Sequence, residues 1–144
     1  MKTLLPSLLA VLLTACAATP QKPAVDKNSL YQRLGGMPAI ETVVDASIRH
    51  IHGDLRINIF FENTDIPDLR RLLVEQICAA AGGPCTYTGR SMEEAHSGMN
   101  LTDKDFDIFV EDLIAAMNEV QVPAPLQQEL LALFGPMRPQ VVGQ

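Results

Sequence analysis

Three histidines and three cysteines are the side chains of this 144-residue chain with the most evident chemistry. In the stretch "RSMEEAHSGMNLTDKDF", His96 closes a very short helical pattern just before Ser97-Gly98 and a second helix start. An imidazole there serves either as a hydrogen-bonded helix-end group or as a metal ligand. His50 lies about 200° around its helix from Ile48 and is expected to face water. His52 follows Ile48 by one turn, at the edge of the apolar stripe, where a surface or capping role fits best and an approach to a buried site is the alternative. Cys78 and Cys85 stand seven apart across a helix end, a spacing compatible with a disulfide in an oxidising compartment. The chain has no CxxC, CxxCH, HExxH or nucleophile elbow, and "LGGM" and "AGGP" lack phosphate-loop spacing and read as helix stops.

The elements that must position these groups are helices, because apolar residues recur at helical spacing and strand alternation is absent. "NSLYQRLGG" predicts a short helix ending at Gly35-Gly36. Pro38 suits the start of a longer one, with a stripe of Ile40, Val43, Val44, Ser47, Ile48 and Ile51 and a stop at Gly53. "LRINIFFENT" is a corner carrying Phe60-Phe61. Asp65 caps the next helix, whose inward stripe is Leu69, Leu72, Leu73, Gln76, Ile77 and Ala80, and Gly82-Gly83-Pro84 stops it. After the loop "CTYTG", Ser91 with Glu94 forms a capping box for a helix of barely two turns. Thr102 with Asp105 caps a helix with the stripe Phe106, Phe109, Val110, Leu113, Ile114 and Met117. "VQVPAP" is a turn before a last helix, Leu126 to Phe134. The fold class is therefore all-α, about six helices in one domain over residues 28–140.

The N-terminus, "MKTLLPSLLAVLLTAC", has one positive charge, Lys2, and a short apolar run interrupted by Pro6. The run is too short to span a bilayer comfortably and fits an export signal. Leu13-Thr14-Ala15-Cys16 resembles a bacterial lipobox, which implies a signal peptide over residues 1–15, lipidation of Cys16, and a flexible tether over residues 16–27. An ordinary signal peptide and a retained anchor remain as alternatives. The expected location is the bacterial cell envelope, as an exported lipoprotein held at a membrane. A net charge of −6 without a Lys/Arg block argues against nucleic acid as a partner.

"LYQRLGGMPAIETVV", the pair "FF" and "AAGGPCTYTGRSMEEAHSGMNLTDKDFD" resemble the group I truncated haemoglobins over nearly all of residues 30–140. The resemblance implies the truncated, two-over-two helical sandwich around haem b. It makes His96, the histidine of the family's "AH" pair, the iron ligand. A very short helix lets its flanking loops bring one imidazole against a flat macrocycle. The second ring nitrogen then needs an acceptor, expected on the backbone one turn earlier. The family's pocket further implies cofactor contacts from Phe60, Phe61, Leu72, Met99, Phe106, Val110 and Ile114. Tyr87 and Arg90 fall near the propionate edge, where Arg90 can pair with carboxylate.

The distal side departs from the family. The position that usually carries tyrosine is Ile48, the residue before it is Ser47, and the two positions that often supply glutamine are Leu69 and Leu73. Gln76 lies deeper on the same face and is a possible donor from the rear, as is Ser47 unless its hydroxyl bonds its own helix. One good donor to a polar ligand such as dioxygen is worth roughly 1–3 kcal/mol, about tenfold to a hundredfold in affinity. An apolar distal pocket of Ile48, Leu69 and Leu73 therefore predicts fast oxygen release, with carbon monoxide little affected. The expected function is reversible binding of oxygen or other diatomic gases, including oxygen transport. The alternatives are nitric-oxide dioxygenation or peroxidase-like chemistry, which need a reductase the sequence does not show, and an envelope haem or gas sensor.

Overall fold

Each helix begins where a side chain can satisfy its free backbone amides or where a proline needs none. A computed structural model describes residues 26–144; the expected signal, Cys16 and the tether up to Val25 lie outside the described residues. Ser29 accepts from the Gln32 amide and starts α1, Leu30–Leu34, which stops at Gly35 with φ +109°. α2, Met37–Gly53, has Pro38 in its first turn. A 3-10 turn, Asn58–Phe61, makes the expected corner. Asp65 accepts from the Asp68 amide to start α3, Ile66–Ala80. Complete capping boxes, Ser91 with Glu94 and Thr102 with Asp105, open α4, Met92–His96, and α5, Asp103–Glu119. α6 spans Ala124–Phe134 with Pro125 in its first turn.

One element was not expected. After α6 the chain makes a 3-10 turn, Gly135–Met137, and a further helix, α7, Arg138–Val141. Pro136 and Pro139 interrupt the periodicity, but each sits in the first turn of a new piece, where proline is tolerated. The last residues brace the connection between α4 and α5: the Gly143 amide donates to Leu101 O at 2.9 Å and the Asn100 amide to Gln144 O at 2.8 Å. Arg138 of α7 pairs with Asp103 at 2.9 Å and with Asp107, and lies 4.4 Å from the centre of the Phe106 ring.

α2 packs across both α5 and α3. Their shared core holds Ile40, Val44, Ile48, Ile77, Leu113, Met117 and Leu130. A smaller cluster at the corner joins Ile51, Ile57 and Ile108 to Phe60, Phe61 and Phe109. Cys78 and Cys85 form a disulfide with Cα atoms 5.7 Å apart, tying the last turn of α3 to the loop that follows. That loop turns too tightly for a side chain at Gly83. A Cβ there would lie 2.5 Å from the Tyr31 ring and 2.7 Å from both Cys78 O and Cys78 Sγ. No described helix is long and apolar enough to cross a membrane.

Candidate functional site

α4 has only five residues, far fewer than an isolated helix needs, so its place is set by its caps and neighbours. Its last residue, His96, is half-buried and faces a cleft of about 490 Å³. His96 Nδ1 lies 2.7 Å from Met92 O, one turn earlier on the same helix. A carbonyl can only accept, so Nδ1–H donates, and in the neutral imidazole Nε2 keeps its lone pair. The acceptor is the type and position expected from the sequence.

The cleft runs between α3 and α4, with the corner, α5 and the C-terminal pieces completing its walls. Phe60, Phe61, Leu69, Leu72, Leu73, Gln76, Tyr87, Arg90, Met99 and Phe106 line it together with His96. Most of the apolar ones are half-buried, leaving uncovered apolar surface on the cleft side. On the loop before α4, the Tyr87 hydroxyl donates to Arg90 O at 2.9 Å, and burial pushes the phenol's pKa up. The exposed Arg90 guanidinium pairs with no carboxylate among the described residues, so it is available to an acidic ligand group.

Three expected pocket residues do not line the cleft. Ile48 is buried in the main core, and Ile51, three residues further along α2, reaches the cleft instead. Val110 and Ile114 also pack against the main core. The cleft-facing residues of α5 are Asp105, Phe106 and Phe109. At 3.6 residues per turn, Val110 and Ile114 point roughly 90° and 130° away from the middle of that sector. Helical spacing identified the apolar stripe but not which edge of it meets the cleft.

The expected polar substitutes behave differently from one another. Ser47 is buried and its hydroxyl donates to Val43 O at 2.8 Å, within its own helix. His52 is exposed, its ring 6.5 Å from that of Phe61. His50 pairs with Glu119 at 2.9 Å in a separate shallow groove beside Asp112, whose carboxyl pKa is raised by burial. Gln76 does reach the cleft. Its amide nitrogen lies 3.3 Å from Met92 Sδ and 3.8 Å from Met137 Sδ. Thioethers are weak acceptors, so this amide keeps donor capacity in reserve. Of the expected distal wall, Leu69 and Leu73 line the cleft without Ile48, and Gln76, the possible donor from the rear, stands with them at the end near α4.

Ile57, Met92, Ala95, Leu101, Phe109, Phe134, Met137 and Val141 also line the cleft. Phe109 follows Phe106 by three residues and was legible as part of the same stripe. Met137 and Val141 belong to the proline-interrupted end, where no periodicity marks them.

A model of the bacterial-like globin family matches residues 29–142. The chain belongs to this globin family. It is 31% identical over 117 residues to a group 1 truncated hemoglobin of Tetrahymena pyriformis, covering 81% of this chain and 97% of the relative. It is 33% identical over 113 residues to one of Mycolicibacterium paratuberculosis, covering 78% and 83%. The solved Fe(III) structure of the Tetrahymena pyriformis protein superimposes with a TM-score of 0.78 at 31% identity, covering 81% of this chain and all of that one. The 2/2 hemoglobin of Synechococcus sp. PCC 7002, in the cyanomet state with covalently attached heme, gives 0.75 at 32% identity over 81% and 99%. The fold of this globin is the two-over-two truncated one, and haem is its cofactor. The residues present fit that group: an apolar cleft of ligand-pocket size, one imidazole with a fixed tautomer, and a phenol and a guanidinium on the loop beside them.

Proposed function

We propose that this globin holds haem b through Nε2 of His96 and binds oxygen, nitric oxide or carbon monoxide reversibly on the side walled by α3. The single observation that carries this reading is the His96 imidazole, with Nδ1 committed to Met92 O and its other nitrogen free for iron, on a cleft also lined by Leu69, Leu72 and Leu73. Ferrous haem supplies the gas-binding metal centre when bound. The chain does the rest. Met92 O fixes the imidazole's tautomer and strengthens it as a donor to metal. Phe60, Phe61, Met99 and Phe106 exclude water from the macrocycle's faces. Arg90 offers a guanidinium to a propionate, with Tyr87 anchoring the loop that carries it.

The pocket remains largely apolar, lined by Ile51 rather than Ile48, with the Asn63 and Gln76 amides among its polar groups. Carrying this globin's domain at residues 28–140 on a lipidated Cys16, at a bacterial envelope, is supported by the lipobox-like leader. The Cys78–Cys85 disulfide adds support, because disulfides persist in oxidising compartments and are rare in the cytosol.

The test is spectroscopic. The haem-reconstituted protein, reduced without air, should give distinct spectra on adding carbon monoxide and then oxygen, and should return to the starting ferrous spectrum when each gas is removed. A ferrous spectrum that neither gas changes would reject gas binding.

A further inference from the structure

We propose that Cys78, Cys85, Glu75 and Thr88 are positioning residues for the haem ligand: two tethers to α3 fix where α4, and so His96, stands. The proposal rests on the reading of His96 as the iron ligand. Residues 81–91 connect α3 to α4. Fully extended, a run of that length reaches roughly 36–40 Å, so connection alone does not place α4. The structure shortens this reach twice. The disulfide closes the loop at Cys85. Three residues later, Thr88 donates to Glu75 Oε2 through its amide at 3.0 Å and its hydroxyl at 2.7 Å. Arg71 donates to Thr88 Oγ1 at 2.8 Å and to Glu75 at 2.7 Å, holding the carboxylate in place. These contacts, Thr88 foremost, keep the Glu75 carboxyl below the ordinary carboxylate range.

Only three residue steps separate Thr88 from Ser91, the cap of α4, a reach of about 10 Å at most. α4 is too short to hold its own position: α7 packs against it, and the tethered loop fixes where it begins. The anchors Arg71, Glu75 and Cys78, spaced four and then three apart, share one flank of α3. Leu69, Leu72, Leu73 and Gln76 occupy its cleft face. Cutting a tether therefore leaves the α3 wall of the cleft unchanged and alters how firmly the loop and α4 are placed. Cys78 is fully buried, whereas Cys85 is partly exposed, so Cys85→Ser removes the disulfide with little disturbance to the core.

The experiment compares haem-loaded wild type, Cys85→Ser, Glu75→Gln and Thr88→Val. The iron–histidine stretching band of the ferrous protein is read by resonance Raman, haem loss from the ferric protein by transfer to excess apomyoglobin, and amide exchange of the loaded protein over residues 86–96. Cys85→Ser should shift or broaden the band, speed haem loss about tenfold or more, and raise exchange in 86–96 while α2 stays protected. Glu75→Gln and Thr88→Val should act in the same direction, and they carry the test alone if Cys85→Ser does not fold. A lower melting temperature with an unchanged band and unchanged exchange would mark the tethers as merely stabilising and overturn the proposal. A His96→Gly control separates the two readings. A wild-type band that depends on His96 but ignores the tethers rejects the positioning role alone; a band that survives His96→Gly rejects the ligand reading and the positioning role with it.

Discussion

At the scale of single residues, the proposed haem ligand depends on one hydrogen bond and the proposed choice of gas on what α3 presents. Met92 O commits Nδ1 of His96, which leaves the other nitrogen for metal. On the α3 wall of the cleft, Leu69, Leu72 and Leu73 offer no donor, and the Gln76 amide rests on two thioethers near α4. Leu73→Gln should therefore slow oxygen dissociation by about tenfold, matching one hydrogen bond of roughly 1.4 kcal/mol, and leave carbon monoxide dissociation nearly unchanged. Stopped-flow ligand exchange measures both rates. An equal change for both gases would point to bulk rather than a donor, and no change for oxygen would show that the side chain does not reach the ligand. His96 was singled out by its motif and Leu69 and Leu73 by the inward stripe of α3, and all three line the cleft. The exact membership of the wall was not. Ile48, Val110 and Ile114 share apolar stripes with residues that do line the cleft, and side-chain type alone does not show which edge of a helix turns toward it.

At the scale of elements, caps and prolines made most of the fold readable. Asp65, Ser91 and Thr102 each start a helix by accepting a backbone amide, as their sequence contexts indicated, and Ser29 does the same for α1. α7 escaped notice because Gly135, Pro136 and Pro139 break the periodicity that signals a helix, while tertiary contacts to α4 and α5 hold it in place. The cap matters most where the helix is shortest. Ser91→Ala removes half of the capping box on α4 and should cost about 1 kcal/mol in denaturant unfolding. It should also speed haem loss, because α4 carries His96, the proposed ligand. Unchanged stability together with unchanged haem loss would show that neighbours alone hold α4.

At the scale of the whole molecule, the proposed envelope location rests on two features of the chain: a lipobox-like leader and a disulfide between the remaining cysteines. The pair's spacing across a helix end was legible in the sequence, but its closure depended on the loop doubling back under Tyr31, a tertiary feature. Cys16→Ser should abolish acylation and move the globin out of the membrane fraction on cell fractionation. Membrane attachment that persists in this variant would favour a retained apolar anchor. The central claim, however, is that one imidazole in the cleft holds the cofactor, and haem content measures it most directly. Wild type and His50→Ala should each retain stoichiometric haem through gel filtration with the same ferrous spectrum, since His50 is paired with Glu119 away from the cleft. His96→Ala should lose haem or show a ferrous spectrum without an imidazole ligand. Stoichiometric haem with an unaltered ferrous spectrum in His96→Ala would contradict the account.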